Sequence, residues 1–163
     1  MHIKLIKKIL YFSQHKVKCA IGEGGIAKNK KEGDLRTPKG KFKFLGVFYR
    51  KDRVGIIKSS LKTYAINKKL GWCDDSNSKN YNKLIKYPFK YKAEKLHLKK
   101  NIYDIILILD YNIRPTIKKK GSDIFLHIAK KKYSPTKGCI AVSKKDMRKL
   151  LKFINKKTTI EIF

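Results

Sequence analysis

Cysteine is scarce in this sequence: Cys19, Cys73 and Cys139 are far apart and odd in number. No C-x-x-C pair and no His/Cys group at zinc-ligand spacing occurs, so no structural metal is expected. One disulfide is possible on paper, but a reduced set with a single functional thiol is simpler. Long apolar runs are missing too. The best, Ile105–Leu109, is strand-sized and far short of the ~18 residues of a membrane span. The first residues, MHIKLIKKILYFSQHKVKCAIG, contain no uninterrupted apolar stretch of ~7–15 residues and no small-residue cleavage site after one. The chain therefore reads as soluble and without a visible export signal. Internal repeats, Ser/Pro linkers and low-complexity blocks are also absent, so one domain over residues 1–163 is expected.

Acidic residues are few, 12 against 42 Lys+Arg, which leaves a formal charge of +30. Such a field is the usual footprint of nucleic-acid binding. Arginine, however, is nearly missing: only Arg36, Arg50, Arg53, Arg114 and Arg148 carry a guanidinium, and the other basic residues are lysine. Bidentate readout of phosphates and guanine edges favours arginine. The charge reads mainly as solvated lysine on every exposed face, with no specific nucleic-acid partner and a monomeric protein. A hydrophobic fraction of 42% spread along the chain excludes a disordered basic tail.

What is present is strand and turn material. Residues 4–12 and 16–21 are apolar runs around the polar break Ser13-Gln-His15. Gly22-Glu-Gly-Gly25 forces a loop, residues 28–34 make a charged loop, and Thr37-Pro-Lys-Gly40 signals a turn. Residues 41–50 alternate as a strand, and 71–83 read as a polar loop with Trp72, Asp74 and Asp75. Residues 103–111, 124–129 and 139–142 read as further strands, the first of them buried. Ser143 caps a helix with Asp146 at the capping-box position, and Met147, Leu150, Leu151 and Ile154 follow on one face. Residues 158–163 close the chain as a strand. The expected class is mostly β with one clear packed helix near the C-terminus.

Chemistry gathers around IFLHIA and CIAV. If these strands form an antiparallel hairpin centred near Tyr133, His127 and Cys139 become cross-strand partners with Cβ atoms ~4.5–5.5 Å apart. A one-residue slip would separate them onto opposite faces. A thiol beside an imidazole can be deprotonated, attack a carbonyl and see the departing amine protonated. Gly138 would let substrate approach the backbone, and N–H groups nearby could take the oxyanion. The same residues also suit a small core thiol and a satisfied buried histidine. Cys73, beside two aspartates that would raise its pKa, is a poor nucleophile. The Asp74-Asp75 pair suits a turn better than an acid/base dyad, His97 suits a surface position, and Tyr81, Tyr103 and Tyr133 could line a groove.

His127 followed by Thr136-Lys-Gly-Cys139 resembles the His…[Ser/Thr]-x-Gly-Cys signature of L,D-transpeptidases with the YkuD-type catalytic domain. Cys19-Ala-Ile-Gly-Glu-Gly-Gly-Ile26 and Glu32-Gly-Asp-Leu-Arg-Thr-Pro-Lys-Gly-Lys-Phe42 are similar to the family's early segment. Gly71-Trp-Cys-Asp-Asp75, Asn80-Tyr-Asn82 and Tyr103-Asp104 look like a small branch of it. The resemblance spans roughly residues 17–163. It implies a β-sandwich of mixed sheets with a packed helix and no metal or organic cofactor. It also implies Cys139 as nucleophile, His127 as general base and acid, and the Gly138–Cys139 region as oxyanion site. The implied substrate is a peptidoglycan stem peptide or muropeptide, and the implied location is the periplasm or envelope; with no export signal visible, a cytoplasmic location stays open.

Two positions depart from the family pattern: Lys137 stands where many members carry a second histidine, and Ala141 where Arg or Asn often follows. The loop from His127 to Cys139 is also short for the family. Thr136 together with Lys137, or Arg36 reaching in from the turn at Thr37-Pro38, are the candidate substrate contacts. The thioester would serve cross-linking or, with water as acceptor, L,D-carboxypeptidase and related hydrolysis. A non-catalytic basic polyanion-binding protein is the reading from a different class.

Overall fold

The computed structural model describes residues 1–163. Three strands open the chain as consecutive antiparallel hairpins: β1 (His2–Ile6), β2 (Ile9–Phe12) and β3 (His15–Ala20). The first turn falls inside the apolar run of residues 4–12. Lys7 and Lys8 make it with φ of 46° and 67°, the left-handed backbone that two-residue hairpins require. Asn-Gly normally announces such a turn, so two lysines conceal it from sequence reading.

A parallel ribbon of β4 (Ile26–Ala27) and β5 (Thr37–Pro38) precedes the long strand β6 (Gly40–Tyr49). A single turn of helix, α1 (Lys51–Val54), and β7 (Thr63–Ala65) follow. Next comes a small antiparallel sheet with β8 (Leu70–Cys73) between β9 (Leu84–Lys86) and β10 (Ala93–Lys95). The expected polar loop of residues 71–83 thus begins as strand. Trp72 draws it inward, since its indole N–H donates to Asn82 Oδ1 at 2.9 Å and its ring meets Phe125 edge-on.

The second half supplies β11 (Ile105–Leu109), β12 (Phe125–Ile128), β13 (Ile140–Val142), α2 (Lys144–Leu151) and β14 (Thr159–Ile162). Ser143 caps α2, its Oγ accepting the Asp146 N–H at 3.0 Å, as the capping pattern requires. The main sheet runs β11-β12-β13-β3-β2-β1-β14-β6-β7, and β11 also pairs with β6. Eight strands therefore close on themselves, with β7 added outside. The mostly β class with mixed pairing and a helix near the C-terminus matches the expectation.

Closure gives the strands an inside and an outside. The inner core holds 27 buried residues, among them Leu107, Leu126, Ile140 and Val142 and, from α2, Met147, Leu150 and Leu151. A second cluster of nine lies on the opposite face of β11 and β12, where Ile106, Ile108 and Phe125 meet Trp72, Leu96 and Tyr103. Strands buried on both faces read as continuous apolar runs. Each β12 side chain accordingly takes one of two fates: Leu126 and Ile128 fill the inner core, while Phe125 and His127 face outward.

Candidate active site

The antiparallel hairpin expected around Tyr133 does not form. Strands β12 and β13 run parallel, with Leu126 beside Ile140, His127 beside Ala141 and Ile128 beside Val142. Residues 129–139 cross over and return instead of turning back. They include a 3₁₀ turn at Lys131–Tyr133, and Thr136 is pinned to the first glycine loop. Thr136 N–H donates to Ile21 O at 2.9 Å, and Glu23 N–H donates to Thr136 O at 2.9 Å. That tie carries the chain away from β12 and brings it back in the same direction.

Extending the parallel register by one residue sets Cys139 beside Phe125, whose N–H approaches Cys139 Sγ at 3.4 Å. Side chains repeat every second residue along a strand, so Cys139, Ala141, Phe125 and His127 share the outer face. His127 and Cys139 both line one cleft of about 530 Å³ between this face, β10 and the loops of residues 30–35 and 134–137.

The backbone around Cys139 is held tightly. Thr37 Oγ1 accepts the Gly22 N–H at 2.8 Å and donates to Gly138 O at 2.8 Å. Thr136 Oγ1 accepts the Gly138 N–H at 3.1 Å and donates to Cys139 O at 2.5 Å. Gly138 adopts φ +139°, and a Cβ there would stand 2.9 Å from Arg36 O, so no other residue fits. The Gly138 N–H is taken by Thr136, whereas the N–H groups of Lys137 and Cys139 on either side of it are free.

Burial disfavours charge on both the Cys139 thiol and the His127 imidazole. His127 is 5% exposed, and its Nδ1 lies 3.0 Å from Ile128 O. A carbonyl only accepts, so Nδ1 carries the proton and Nε2 keeps the lone pair. Burial pushes the His127 pKa down to about 4, despite the opposing hydrogen bond to Ile128. Half-buried Cys139 directs its thiol at Asp123 O, 2.9 Å away. Burial raises its pKa well above the ordinary thiol value, and the Glu94 and Asp123 carboxyls push the same way. A standing thiolate–imidazolium pair is therefore disfavoured.

The cleft is mixed in charge, with Lys30, Lys92, Lys130 and Lys137 lining it beside four carboxyl groups. Glu32, Asp74, Glu94 and Asp123 all line it. Burial raises Glu94, which the Tyr103 hydroxyl contacts, and it raises Asp123, whose buried Oδ1 has no hydrogen-bond partner. Tyr103 also meets the His127 ring edge-on at 5.3 Å. Asn82 braces this wall from behind. Its Oδ1 accepts the Trp72 indole and the Asp123 N–H, and its Nδ2 donates to the carbonyls of Tyr111 and Asn112.

Of the other sequence candidates, Thr136 and Lys137 line the cleft, Lys137 as an exposed rim residue. Arg36 does not. Its stem lies over Gly24, where a Cβ would stand 2.7 Å from Arg36 Cγ. Cys73 is buried in β8, and Asp75 accepts the Asn77 N–H as a turn residue. Asp74 pairs with Lys92 at 2.8 Å. His97 belongs to a separate shallow depression with Lys51 and Asp52. Sequence reading missed Lys30, Glu94 and Asp123, which carry no local motif and reach the cleft only through the fold.

Three or more His, Cys, Asp or Glu side chains placed to hold a metal ion occur nowhere in the molecule. Among curated proteins no sequence matches the chain. A family model described as the YkuD L,D-transpeptidase catalytic domain matches residues 7–162. With that match over almost its whole length, and a cleft holding a thiol and an imidazole on one sheet face, the chain belongs to the YkuD family of L,D-transpeptidase catalytic domains.

Proposed function

We propose that the protein catalyses acyl transfer on peptidoglycan stem peptides through a thioester at Cys139, forming L,D cross-links. The observation that supports this best is that Cys139 shares one cleft and one sheet face with a histidine whose Nδ1 is committed to the backbone, so that Nε2 is its one basic atom. In the first step the Cys139 S–H proton passes to His127 Nε2 as sulfur bonds to the substrate carbonyl carbon. The carbonyl π pair moves to oxygen, where the free Cys139 N–H stabilises it. Collapse breaks the C–N bond, and the imidazolium returns the proton to the departing amine. An amine acceptor then attacks the thioester to give a new amide and release the thiol. Gly138 contributes its backbone conformation, and Thr136 contributes the two hydrogen bonds that fix it.

Water in place of the amine would give L,D-carboxypeptidase or hydrolase activity with the same residues. Incubating the protein with muropeptides and weighing the products separates the two, because a cross-linked dimer and a trimmed monomer differ in mass. A Cys139→Ala variant is expected to yield neither product while keeping its fold. Turnover by that variant would overturn the reading.

A further inference from the structure

Lysine faces solvent almost everywhere in this molecule, and Lys30 alone is buried. Its side chain is 3% exposed and reaches inward to the cleft that holds Cys139. Nζ donates to Asp34 Oδ1 at 2.6 Å and to Lys31 O at 3.2 Å, which uses two of the three N–H groups of an ammonium.

Two glycines make room for it. A Cβ on Gly121 would stand 2.9 Å from Lys30 Cε, and one on Gly138 would stand 3.6 Å from Nζ. The stem therefore runs along one glycine, and the ammonium ends at the residue preceding the thiol. An ion pair with Asp34 needs no burial; Lys92 pairs with Asp74 at 2.8 Å while its side chain stays 76% exposed. Asp34 is also supplied independently by the N–H groups of Lys31 and Arg36, at 2.7 and 2.9 Å. Carrying a cation inward to Gly138 thus serves something beyond neutralising Asp34. Of the other lysines lining the cleft, Lys92 is paired with Asp74, and Lys130 and Lys137 are exposed; Arg36 is turned onto Gly24, so Lys30 is the one buried cation, its Nζ beside Gly138.

We propose that Lys30 is the anion-reading residue of the cleft, its third N–H holding a substrate carboxylate that flanks the acyl group attacked by Cys139. This rests on the assignment of Cys139 as the nucleophile.

The test uses the full chain and two alkylating reagents, iodoacetate and iodoacetamide, with modification of Cys139 followed by peptide mapping. In both reactions sulfur bonds to the methylene carbon and iodide leaves. Both consume the same thiolate, so the ratio of their rates cancels thiolate content and reports recognition of the carboxylate. Lys30→Met is expected to lower the iodoacetate-to-iodoacetamide ratio roughly fivefold, since a unit charge is lost within a few ångströms of the reagent. Lys30→Arg, which keeps the charge, is expected to retain most of the wild-type ratio. A purely structural role would slow both reagents together, and an unchanged ratio in Lys30→Met overturns the proposal. Should Lys30→Met fail to fold, Asp34→Asn decides. Freeing the ammonium from its partner is expected to raise the ratio, and no rise overturns the proposal. If neither reagent modifies Cys139 in the folded wild-type protein, the nucleophile assignment fails and this inference falls with it. Modification with an unaltered ratio removes Lys30 alone.

Discussion

Replacing Gly138 with alanine tests how the fold positions the thiol. The residue sits at φ +139°, where a Cβ is strained whatever the space around it. The new methyl would also stand 2.9 Å from Arg36 O. That carbonyl cannot easily retreat, because the next residue, Thr37, is fully buried and bridges the Gly22 N–H to Gly138 O. Backbone strain of about 1–3 kcal/mol and the contact together give an expected loss of about 2–4 kcal/mol. For a chain of this size that lowers Tm by roughly 6–12 °C. Gly55→Ala is the matched control: its φ is +70° but nothing lies within 4 Å of the added Cβ, so only strain remains, about 1 kcal/mol. Thermal and urea unfolding followed by the fluorescence of Trp72, the single tryptophan, read both variants. Alkylation of Cys139 below the transition then shows whether the thiol has moved. Equal losses in the two variants, with unaltered Cys139 alkylation, would refute the claim that the Arg36–Gly138 approach positions the Cys139 thiol.

Other outcomes follow from the same geometry. His127 has a folded pKa of about 4 against ~6.5 unfolded, so the unfolded chain takes up the proton first. Its contribution is complete above pH ~6.5 and is lost as pH falls, about 3 kcal/mol in all, levelling off below pH 4. Denaturant titrations at several pH values should show this slope in the wild type and a shallower one in His127→Gln. Iodoacetamide should alkylate Cys139 about tenfold faster per pH unit from pH 6 to 9; a plateau starting below pH 7 would mean a preformed thiolate. Asn82→Ala strips partners from Trp72, Asp123, Tyr111 and Asn112. It should cost roughly 2–4 kcal/mol and shift the Trp72 emission, which unfolding curves and spectra would register.

The sequence exposes some elements fully and conceals others for physical reasons. Strand β6 alternates, β11 is uniformly apolar because both its faces are covered, and the Ser143–Asp146 cap is a local motif; all three are readable without tertiary information. The direction of β13 is not. A connection containing Pro135 and Gly138 suggests a tight return, and its true path depends on Thr136 bonding to Ile21 and Glu23, more than a hundred residues away. His127 and Cys139 nonetheless occupy one face, because the parallel register preserves the same alternation. Lys30, Glu94 and Asp123 were hidden for the converse reason. Each looks like an ordinary charged surface residue until the closed sheet and the β8–β10 layer enclose it.

The turn between β1 and β2 places a burden of a different kind. Lys7, Lys8, Lys119 and Lys132 all hold left-handed backbone, a conformation that glycine and asparagine adopt more readily. Part of the lysine enrichment of this chain thus falls at corners that favour other residues, while the interior keeps well-packed Ile, Leu and Val. Stability withheld at those corners is recoverable without touching the cleft. Writing Asn-Gly into positions 7 and 8 would relax the first hairpin and remove two surface charges, giving a sturdier scaffold on which the chemistry of Cys139 can be measured.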